Sequence, residues 1–408
     1  MKTLSIFTPT HDTKYLLDAY NSIKDQPFNE WVIITNKGAQ VQSEIQEDKR
    51  VKVFSYESDF VGALKKYACS KCTSEILLEL DHDDLLLDGA IKEVKDAFKE
   101  GIGFVYSNAS QFKDNFQKVD RFSYYQGWRY REFDYKGHKM DECISFPPEP
   151  TSVSRIWYAP DHLRAWRKSV YEKVGGHSDK MRVLDDLDLM CRTFLETKFY
   201  HIDKPLYLYR ITGENTWIQR NKEIQTGTWE LFYQNAVRLA ERDADLQGLM
   251  KVDLGGGIAP KEGYTTIDRH DGDITADLGK TWPLANNSVG VLRASHVLEH
   301  LKKPLFSMGQ IHRVLADGGW AFIDVPSTDG RGAWQDPTHV SFWNQNSFWY
   351  YTRKDQAQYI RNTKIRFQEW RLNTGFPGPW WRENNIPVTT AWLTAVKSDA
   401  RRPHLIKI

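Results

Sequence analysis

The sequence has few cysteines, no excess of charge of either sign and no long apolar run. Its 408 residues include 4 cysteines, and 55 Lys and Arg against 54 Asp and Glu leave a formal net charge of +1. This balance argues against nucleic acid or an anionic membrane as the main partner. No stretch approaches the ~20 apolar residues of a transmembrane helix, and residues 1–3 lead directly into a strand pattern. We therefore expect a soluble, cytoplasmic protein without a signal peptide.

The cysteine spacing does not match a zinc site. Cys69 and Cys72 form a single C-x-x-C pair, with no second pair or histidine cluster at zinc spacing. We interpret both as helix residues in a reducing compartment, with metal binding as the alternative. Aromatic residues, by contrast, are abundant at 15 Trp, 19 Tyr and 20 Phe. Such residues often line sugar or base sites, although many must belong to the core.

The order of strand and helix patterns predicts two domains. The length exceeds what one hydrophobic core usually supports. Alternating strands and helices over residues 1–220 predict a mostly parallel sheet, whose ligands bind at the carboxyl ends of the strands. Within it, residues 112–160 look irregular and aromatic, and we interpret them as an acceptor-side insertion. A charged connecting helix at 221–249 precedes a second strand and helix series at 250–408.

The strongest local signal is an apolar strand that ends in the acidic run Asp81-His82-Asp83-Asp84. Clustered carboxylates repel one another and are retained where a hard divalent cation binds. Mg²⁺ or Mn²⁺ at this position would neutralise the charge of a diphosphate leaving group. The alternative is that Asp83 or Asp84 caps a following helix. The cluster alone does not decide between these interpretations.

Five segments in order give the first 215 residues a resemblance to family 2 glycosyltransferases of the GT-A fold: residues 4–12, 81–84, 167–176, 185–189 and 206–210. The resemblance implies that Asp83 is the main metal ligand, and that Asp81 contacts the ribose or the metal. It implies that Asp186 is the base that deprotonates the acceptor hydroxyl in an inverting transfer. It also implies a set of donor-binding residues: Thr8, Pro9, Asp12, Asn36, Lys65, Lys66, Asp81 and Arg210.

Several positions depart from the pattern of that family. Asn36-Lys37 stands where an Asp pair is common, Lys65-Lys66 where an Arg-Asn pair is common, and Thr212 where many relatives carry His. A lysine there could still neutralise phosphate as a point charge. These departures leave the donor nucleotide open. For Asp186 and its acidic neighbours, a helix-dipole role is the structural alternative, and it is compatible with catalysis.

A second candidate site begins where the strand Val252-Asp253-Leu254 runs into Gly255-Gly256-Gly257. Glycines in such a turn let the backbone approach a ligand closely. Asp268 ends the next strand, where it could accept hydrogen bonds from ribose hydroxyls. The spacing leaves little room for a full helix, which argues against a dinucleotide cofactor.

With the segments at 277–278, 282–284, 295–301 and 313–319, residues 251–325 resemble class I S-adenosylmethionine-dependent methyltransferases with a shortened first helix. The expected fold is therefore α/β, with two doubly wound Rossmann-like domains. The resemblance implies a set of cofactor-binding residues: Gly255, Gly257, Asp268, Asp277, Leu278 and His296. His339 and His300 are the candidate catalytic bases, because an imidazole titrates near neutrality, and His296 is a further candidate. Packing is the alternative role for each histidine.

Together these patterns predict a bifunctional enzyme that transfers a sugar from a nucleotide-sugar donor and methylates a hydroxyl of a glycan or glycoconjugate. The expected cofactors are Mn²⁺ or Mg²⁺ and S-adenosylmethionine, and no nucleic acid partner is expected. Two alternatives remain open at this stage. One domain could be a binding module, for which the glycosyltransferase departures make that half the candidate, or the acceptor could be nucleic acid or protein.

Overall fold

The computed structural model describes residues 2–155, 162–257, 259–360, 364–400 and 402–403. The chain divides into two compact units. The first extends to Leu239 and includes residues 402–403, and the second covers Ala240 to Ala400. The division falls inside a helix, Asn221–Gln247. Each unit is described separately.

The first unit is built on a large mixed sheet. Its strands are β1 Leu4–Thr10, β2 Glu30–Thr35, β3 Val51–Ser55, β4 Ile76–Glu79, β5 Leu85–Leu86, β6 Ile102–Lys113, β7 Gln117–Lys118, β8 Tyr130–Tyr135, β9 His138–Cys143, β10 Arg164–Arg167 and β11 Lys198–Arg210. The main order is β3-β2-β1-β4-β10-β6-β11-β5. Strands β1 to β4 pair in parallel, whereas β10 is antiparallel to both of its neighbours.

Helices pack on both faces of this sheet. They are α1 Leu16–Ile23, α2 Ser43–Gln46, α3 Val61–Lys71, α4 Ala90–Ala97, α5 Pro150–Val153, α6 Lys168–Lys173, α7 Asp185–Glu196, α8 Thr216–Gln219 and α9 Asn221–Gln247. Successive strand residues enter different cores, since Ile6 belongs to one apolar cluster and Phe7 to another. Side chains alternate between the faces of a strand, so a strand covered on both sides is apolar throughout.

The second unit is a seven-stranded sheet in the order β14-β13-β12-β15-β16-β18-β17. Its strands are β12 Met250–Leu254, β13 Thr265–Asp268, β14 Ile274–Thr275, β15 Val289–Ser295, β16 Leu315–Pro326, β17 Phe367–Gly375 and β18 Val388–Ala395. Its helices are α10 Pro304–Val314, α11 Gly332–Gln335, α12 Gln345–Thr352, α13 Lys354–Ala357 and α14 Pro379–Glu383. Strand β18 pairs antiparallel with both of its neighbours, β16 and β17, whereas the other strand pairs of this sheet are parallel.

The prediction that residues 112–160 are irregular is wrong in part. Residues 130–143 form the hairpin β8–β9, in which the aromatic residues of β8 are buried or half-buried and its charged residues are exposed. Its turn, Lys136-Gly137, has positive φ at both positions (48° and 85°), as the tight turns of hairpins require. Residues 156–160 of this segment, which include Trp157, lie outside the described residues.

Within the described ranges, every helix is too short or too polar to cross a lipid bilayer. The four cysteines are free thiols. Cys69 lies in α3 and Cys72 immediately follows it.

Candidate active sites

A cavity of about 1010 Å³ opens at the carboxyl ends of β1 and β4 in the first unit. Several predicted residues line it together: Pro9, Asp12, Lys65, Asp81, Asp83 and Asp186. The sheet explains this convergence, because parallel strands end at the same edge.

Four other predicted donor-binding residues are not among the described residues that line the cavity. Thr8 is buried, donating to the Leu80 carbonyl at 2.6 Å. Asn36 is buried and donates to the Ser58 carbonyl at 2.8 Å. Lys66 is exposed on α3. These contacts give Thr8 and Asn36 structural roles, and Arg210, the fourth, also holds structure in place.

Asp84 and Arg210 fix the acidic loop to β11. The Asp84 carboxylate accepts hydrogen bonds from the Tyr207 hydroxyl at 2.8 Å and from the Arg210 backbone N–H at 2.7 Å. The Arg210 side chain donates to the Asp83 carbonyl at 2.7 Å. Burial, with Asp83 and Asp81 nearby, raises the pKa of Asp84 well above its usual value. The short strand β5, not a helix, follows this loop, so the helix-cap interpretation is wrong.

Asp83 faces the cavity. Its carboxylate has no ion-pair partner among the residues that the structure describes. Burial raises its pKa above the ordinary value, and Asp81 adds to that shift. A carboxylate held in this way gains most from a bound cation, which removes the cost of an unpaired charge. Asp83 and Asp81 therefore fit a divalent cation.

Behind the acidic loop lies a buried network centred on Glu79. Lys65 pairs with Glu79 and also lies 3.3 Å from Asp81. Arg164 lies 3.3 Å from Glu79 and 3.0 Å from Asp186. Burial alone would raise the pKa of Glu79, but Arg164 and Lys65 hold it well below its usual value. Lys65 is thus occupied by two carboxylates, which leaves less of its charge for a donor phosphate than its sequence position suggests.

The adjacent carboxylates of Asp185 and Asp186 have opposite pKa shifts. Burial opposes ionisation of Asp186, but Arg164 and then Lys65 hold its pKa below the ordinary value. Burial, followed by the charge of Asp186, raises the pKa of Asp185 to about 7. Asp185 Oδ2 is buried without a hydrogen-bond partner among the described residues. Both residues lie in the first turn of α7, where the helix dipole favours negative charge.

Sequence reasoning missed four residues of this site: Glu79, His162, Arg164 and Asp185 as a buried acid. His162 lies 3.8 Å from Asp81, and its Nε2 is 2.6 Å from the Arg164 guanidinium. Glu79 had a signal, since it is the one charged side chain in the apolar strand Ile76–Glu79. His162 and Arg164 had none, because only strand pairing brings β10 beside β4.

In the second unit, the glycine turn after β12 meets Asp268 at the end of β13. Gly255 has a φ of 67°, and its N–H donates to the Ile267 carbonyl at 2.8 Å. The N–H of Gly257 lies 3.4 Å from Asp268 Oδ2. The backbone N–H of His270 donates to Asp268 and is the main cause of its lowered pKa. An ionised carboxylate beside a glycine turn fits the ribose and methionine parts of S-adenosylmethionine.

Asp277 and Leu278 follow β14, as the resemblance requires. Asp277 accepts from the Gly279 N–H at 2.9 Å and pairs with Arg269 at 3.0 Å. The Gly279 hydrogen bond, then Arg269, lowers its pKa. Leu278 is buried in the core of the unit.

The three predicted histidines lie beyond the carboxyl end of β15. His296 has a φ of 55°, and its ring lies 6.0 Å from that of Trp381 in a stacked arrangement. The rings of His300 and His339 are 5.0 Å apart. Nearby in sequence, Trp334 stacks with Phe342 at 4.5 Å, and both are exposed. A left-handed backbone at a non-glycine residue is unusual and concentrates at functional sites.

The two folds and sites are those of group-transfer enzymes, one with a carboxylate-lined cavity and one with a glycine turn followed by an acidic strand end. Sequence comparison then identifies both. Residues 5–147 match the family model "Glycosyl transferase family 2", and residues 259–323 match the model "Methyltransferase domain". Over these residues both predicted resemblances, to family 2 glycosyltransferases and to methyltransferases, are confirmed.

Individual relatives resemble parts of this chain. A Campylobacter jejuni protein, the GalNAc(5)-diNAcBac-PP-undecaprenol beta-1,3-glucosyltransferase, is 26% identical over 226 residues, or 53% of this chain and 67% of that protein. The structure of S. aureus TarS with UDP-GlcNAc aligns with a TM-score of 0.42 at 15% identity, over 64% of this chain and 76% of that one. The Pyrobaculum calidifontis mannosyltransferase PcManGT with GDP-Man and Mn2+ gives 0.39 at 14%, over 58% and 64%. With TM-scores this low, the identification rests on the sequence matches.

Proposed function

We propose that this chain is a bifunctional enzyme. It transfers a sugar from a nucleotide-sugar donor with inversion, and it methylates a hydroxyl of a glycan or glycoconjugate with S-adenosylmethionine. Residues 1–220 and 250–408 are the two catalytic domains, joined by 221–249. The carrying observation is that one cavity holds both Asp83, without a counter-charge among the described residues, and Asp186, held ionised by Arg164.

In the glycosyltransferase site, Asp83 and Asp81 hold Mn²⁺ or Mg²⁺. A cation there neutralises charge on the departing diphosphate. Asp186 accepts the proton of the acceptor hydroxyl, and Arg164 keeps its carboxylate ionised and oriented at 3.0 Å. Of the other predicted residues that line the cavity, Pro9 and Asp12 contact the donor, whereas Lys65 pairs with Glu79.

In the methyltransferase site, Gly255 and Gly257 face the methionine portion of the cofactor, Asp268 its ribose, and Asp277 with Leu278 its adenine. S-adenosylmethionine supplies the methyl group. His296, at the end of β15, borders the cofactor. His339, or its neighbour His300, accepts the hydroxyl proton. The exposed Trp334–Phe342 pair supports a sugar acceptor, because aromatic faces stack on sugar rings.

The near-neutral net charge supports an acceptor other than nucleic acid. The free thiols support the cytoplasmic location expected from the sequence.

The decisive experiment measures thermal unfolding of the full chain with UDP-, GDP- and dTDP-sugars, each with and without Mn²⁺. We expect one nucleotide class to raise the Tm, and to do so more strongly with Mn²⁺. S-adenosylhomocysteine should raise the Tm independently. Transfer should then be lost in Asp186→Asn, while nucleotide binding survives, because only the base is removed.

Asp188→Asn is the matched control, since Asp188 lies in the same helical turn but pairs with Arg192 at 2.6 Å. Full sugar transfer by Asp186→Asn would exclude Asp186 as the base. Absence of any response to S-adenosylhomocysteine would count against the second activity.

A further inference from the structure

A cluster in the methyltransferase unit has the composition of a metal site. Glu299, His300 and His339 each offer one ligand atom, and these atoms all lie within 4.8 Å of one another. Glu299 and His300 belong to the short 3-10 helix Leu298–His300, directly after β15. His339 comes from the loop after α11. The site is thus assembled from two segments distant in sequence.

The carboxylate of Glu299 supplies an independent observation. Glu299 is 2% exposed, and its Oε2 atom has no hydrogen-bond partner among the described residues. Its Oε1 atom lies 3.5 Å from His296 Nδ1. A buried carboxylate oxygen left without a partner is costly, and a bound cation is one of the few groups that remove this cost.

The imidazole rings of His300 and His339 are already oriented by contacts of their Nδ1 atoms. His339 Nδ1 lies 3.1 Å from the Ala333 carbonyl, and its Nε2 lies 3.8 Å from Asp336 Oδ2. His300 Nδ1 lies 3.1 Å from the Thr338 hydroxyl and 3.3 Å from the Thr338 carbonyl. Hydrogen bonds of this kind to the second ring nitrogen fix the tautomer of metal-bound histidines. His300 is exposed, which gives a cation a route into the site.

We infer that Glu299, His300 and His339 bind a divalent transition-metal cation in the methyltransferase domain. Two imidazoles and one carboxylate suit Zn²⁺, Fe²⁺ or Mn²⁺ and leave coordination positions open for a substrate. Metal–ligand distances of about 2.0–2.2 Å place ligand atoms about 3–3.5 Å apart. The three atoms lie within 4.8 Å of one another and therefore need to close by at most about 1.3–1.8 Å when the cation binds.

This inference rests on the proposed methyltransferase activity and changes the role of two residues. His300 and His339 become ligands in place of free bases, and the cation lowers the pKa of the acceptor hydroxyl. In the transfer, the methyl–sulfur bond breaks with its electrons remaining on sulfur. The hydroxyl oxygen forms the new bond and its proton is released to solvent. The open coordination positions on one cation favour an acceptor that offers two adjacent sugar hydroxyls.

The test is Mn²⁺ binding, measured by electron paramagnetic resonance on the full chain without substrates. Asp83→Asn removes the glycosyltransferase cation site, so this variant should retain one Mn²⁺ that Zn²⁺ displaces. Adding Glu299→Gln or His300→Gln should weaken that binding by at least about tenfold. Adding Glu262→Gln, an exposed glutamate of the same unit, should leave it unchanged.

S-adenosylhomocysteine binding, measured by calorimetry, reports folding of each variant. If Glu299→Gln unfolds, His300→Gln serves as the second variant, because His300 is exposed. Equal Mn²⁺ affinity in Asp83→Asn with and without the added substitutions overturns the metal site. If cofactor binding persists in that case, the proposed methyltransferase function stands. Failure of the unsubstituted chain to bind S-adenosylhomocysteine would instead refute the proposed function.

Discussion

Arg164 Nη1 lies 3.0 Å from Asp186 Oδ2, while its Nε lies 3.3 Å from Glu79, so one guanidinium joins the proposed base to a buried carboxylate. This relationship makes Arg164 a positioning residue. It keeps Asp186 ionised and limits its orientation, and both properties matter for a base that must meet an acceptor hydroxyl.

Arg164→Gln should therefore affect both stability and the pH dependence of sugar transfer. Loss of one partner of a buried ion pair costs about 3–5 kcal/mol. Without Arg164 the pKa of Asp186 rises, so the acidic limb of the kcat profile should move to higher pH. Arg121→Gln, which removes a surface pair with Asp141 at 2.8 Å, should leave the stability nearly unchanged, because water screens exposed ion pairs. An unmoved acidic limb would show that Arg164 has no influence on the base.

Asp83→Asn should raise the Tm of the unliganded chain at pH 7. The folded-state pKa of Asp83 lies above its unfolded value, so the protonated form favours folding. The stability that goes with the protonated carboxyl group is present at low pH and is lost as the pH rises through the folded-state pKa of Asp83. Asparagine carries no charge, so Asp83→Asn restores that stability at pH 7. With Mn²⁺ present, a nucleoside diphosphate should stabilise the unsubstituted chain further, by about 2.7 kcal/mol when its concentration is 100 times Kd. Asp83→Asn should lose this added stabilisation.

Exposed Asp88→Asn is the control for that substitution. A nucleotide shift that stays as large in Asp83→Asn as in the unsubstituted chain would remove Asp83 from the cation site.

Asp185 should make folding stability fall between about pH 4 and pH 7. Its pKa is about 7 in the folded chain against 3.8 ordinarily, so the folded state retains a proton that the unfolded chain releases. The contribution is complete below the unfolded pKa and is lost as pH rises through the folded value. The slope is at most about 1.4 kcal/mol per pH unit.

Denaturant unfolding across this range should show the loss in the unsubstituted chain and in the exposed control Asp179→Asn. It should be absent in Asp185→Asn. Parallel curves for all three proteins would mean that Asp185 titrates normally.

Gly257→Ala should abolish cofactor binding with little effect on the fold. A Cβ at position 257 would lie 2.9 Å from Asp268 Cγ and displace the carboxylate assigned to the ribose. Calorimetry with S-adenosylhomocysteine measures the loss. Gly375→Ala, where the nearest atom would be at an ordinary 3.8 Å, is the matched control. Normal affinity in Gly257→Ala would place the ribose elsewhere.

The sequence by itself determined most strands, both domain types and the residues at strand ends. Helix Asp185–Glu196 is an example of a local feature, because its acidic first turn and its apolar period can both be seen in the sequence. The Asp81 to Asp84 run and the Gly255 to Gly257 turn were equally visible, since each follows an apolar strand directly. The hairpin β8–β9 was missed because its aromatic and charged residues do not alternate strictly along β8.

Only the tertiary structure decided which of these residues act together. Antiparallel pairing sets Ala165 opposite Leu78, which brings Arg164 to Glu79 and Asp186 from separate parts of the chain. The tertiary structure likewise gives the adjacent Asp185 and Asp186 different pKa values. Burial raises the pKa of Asp185, whereas Arg164 lowers the pKa of Asp186. Desolvation and ion pairing depend on neighbours distant in sequence, so no local pattern could have shown them.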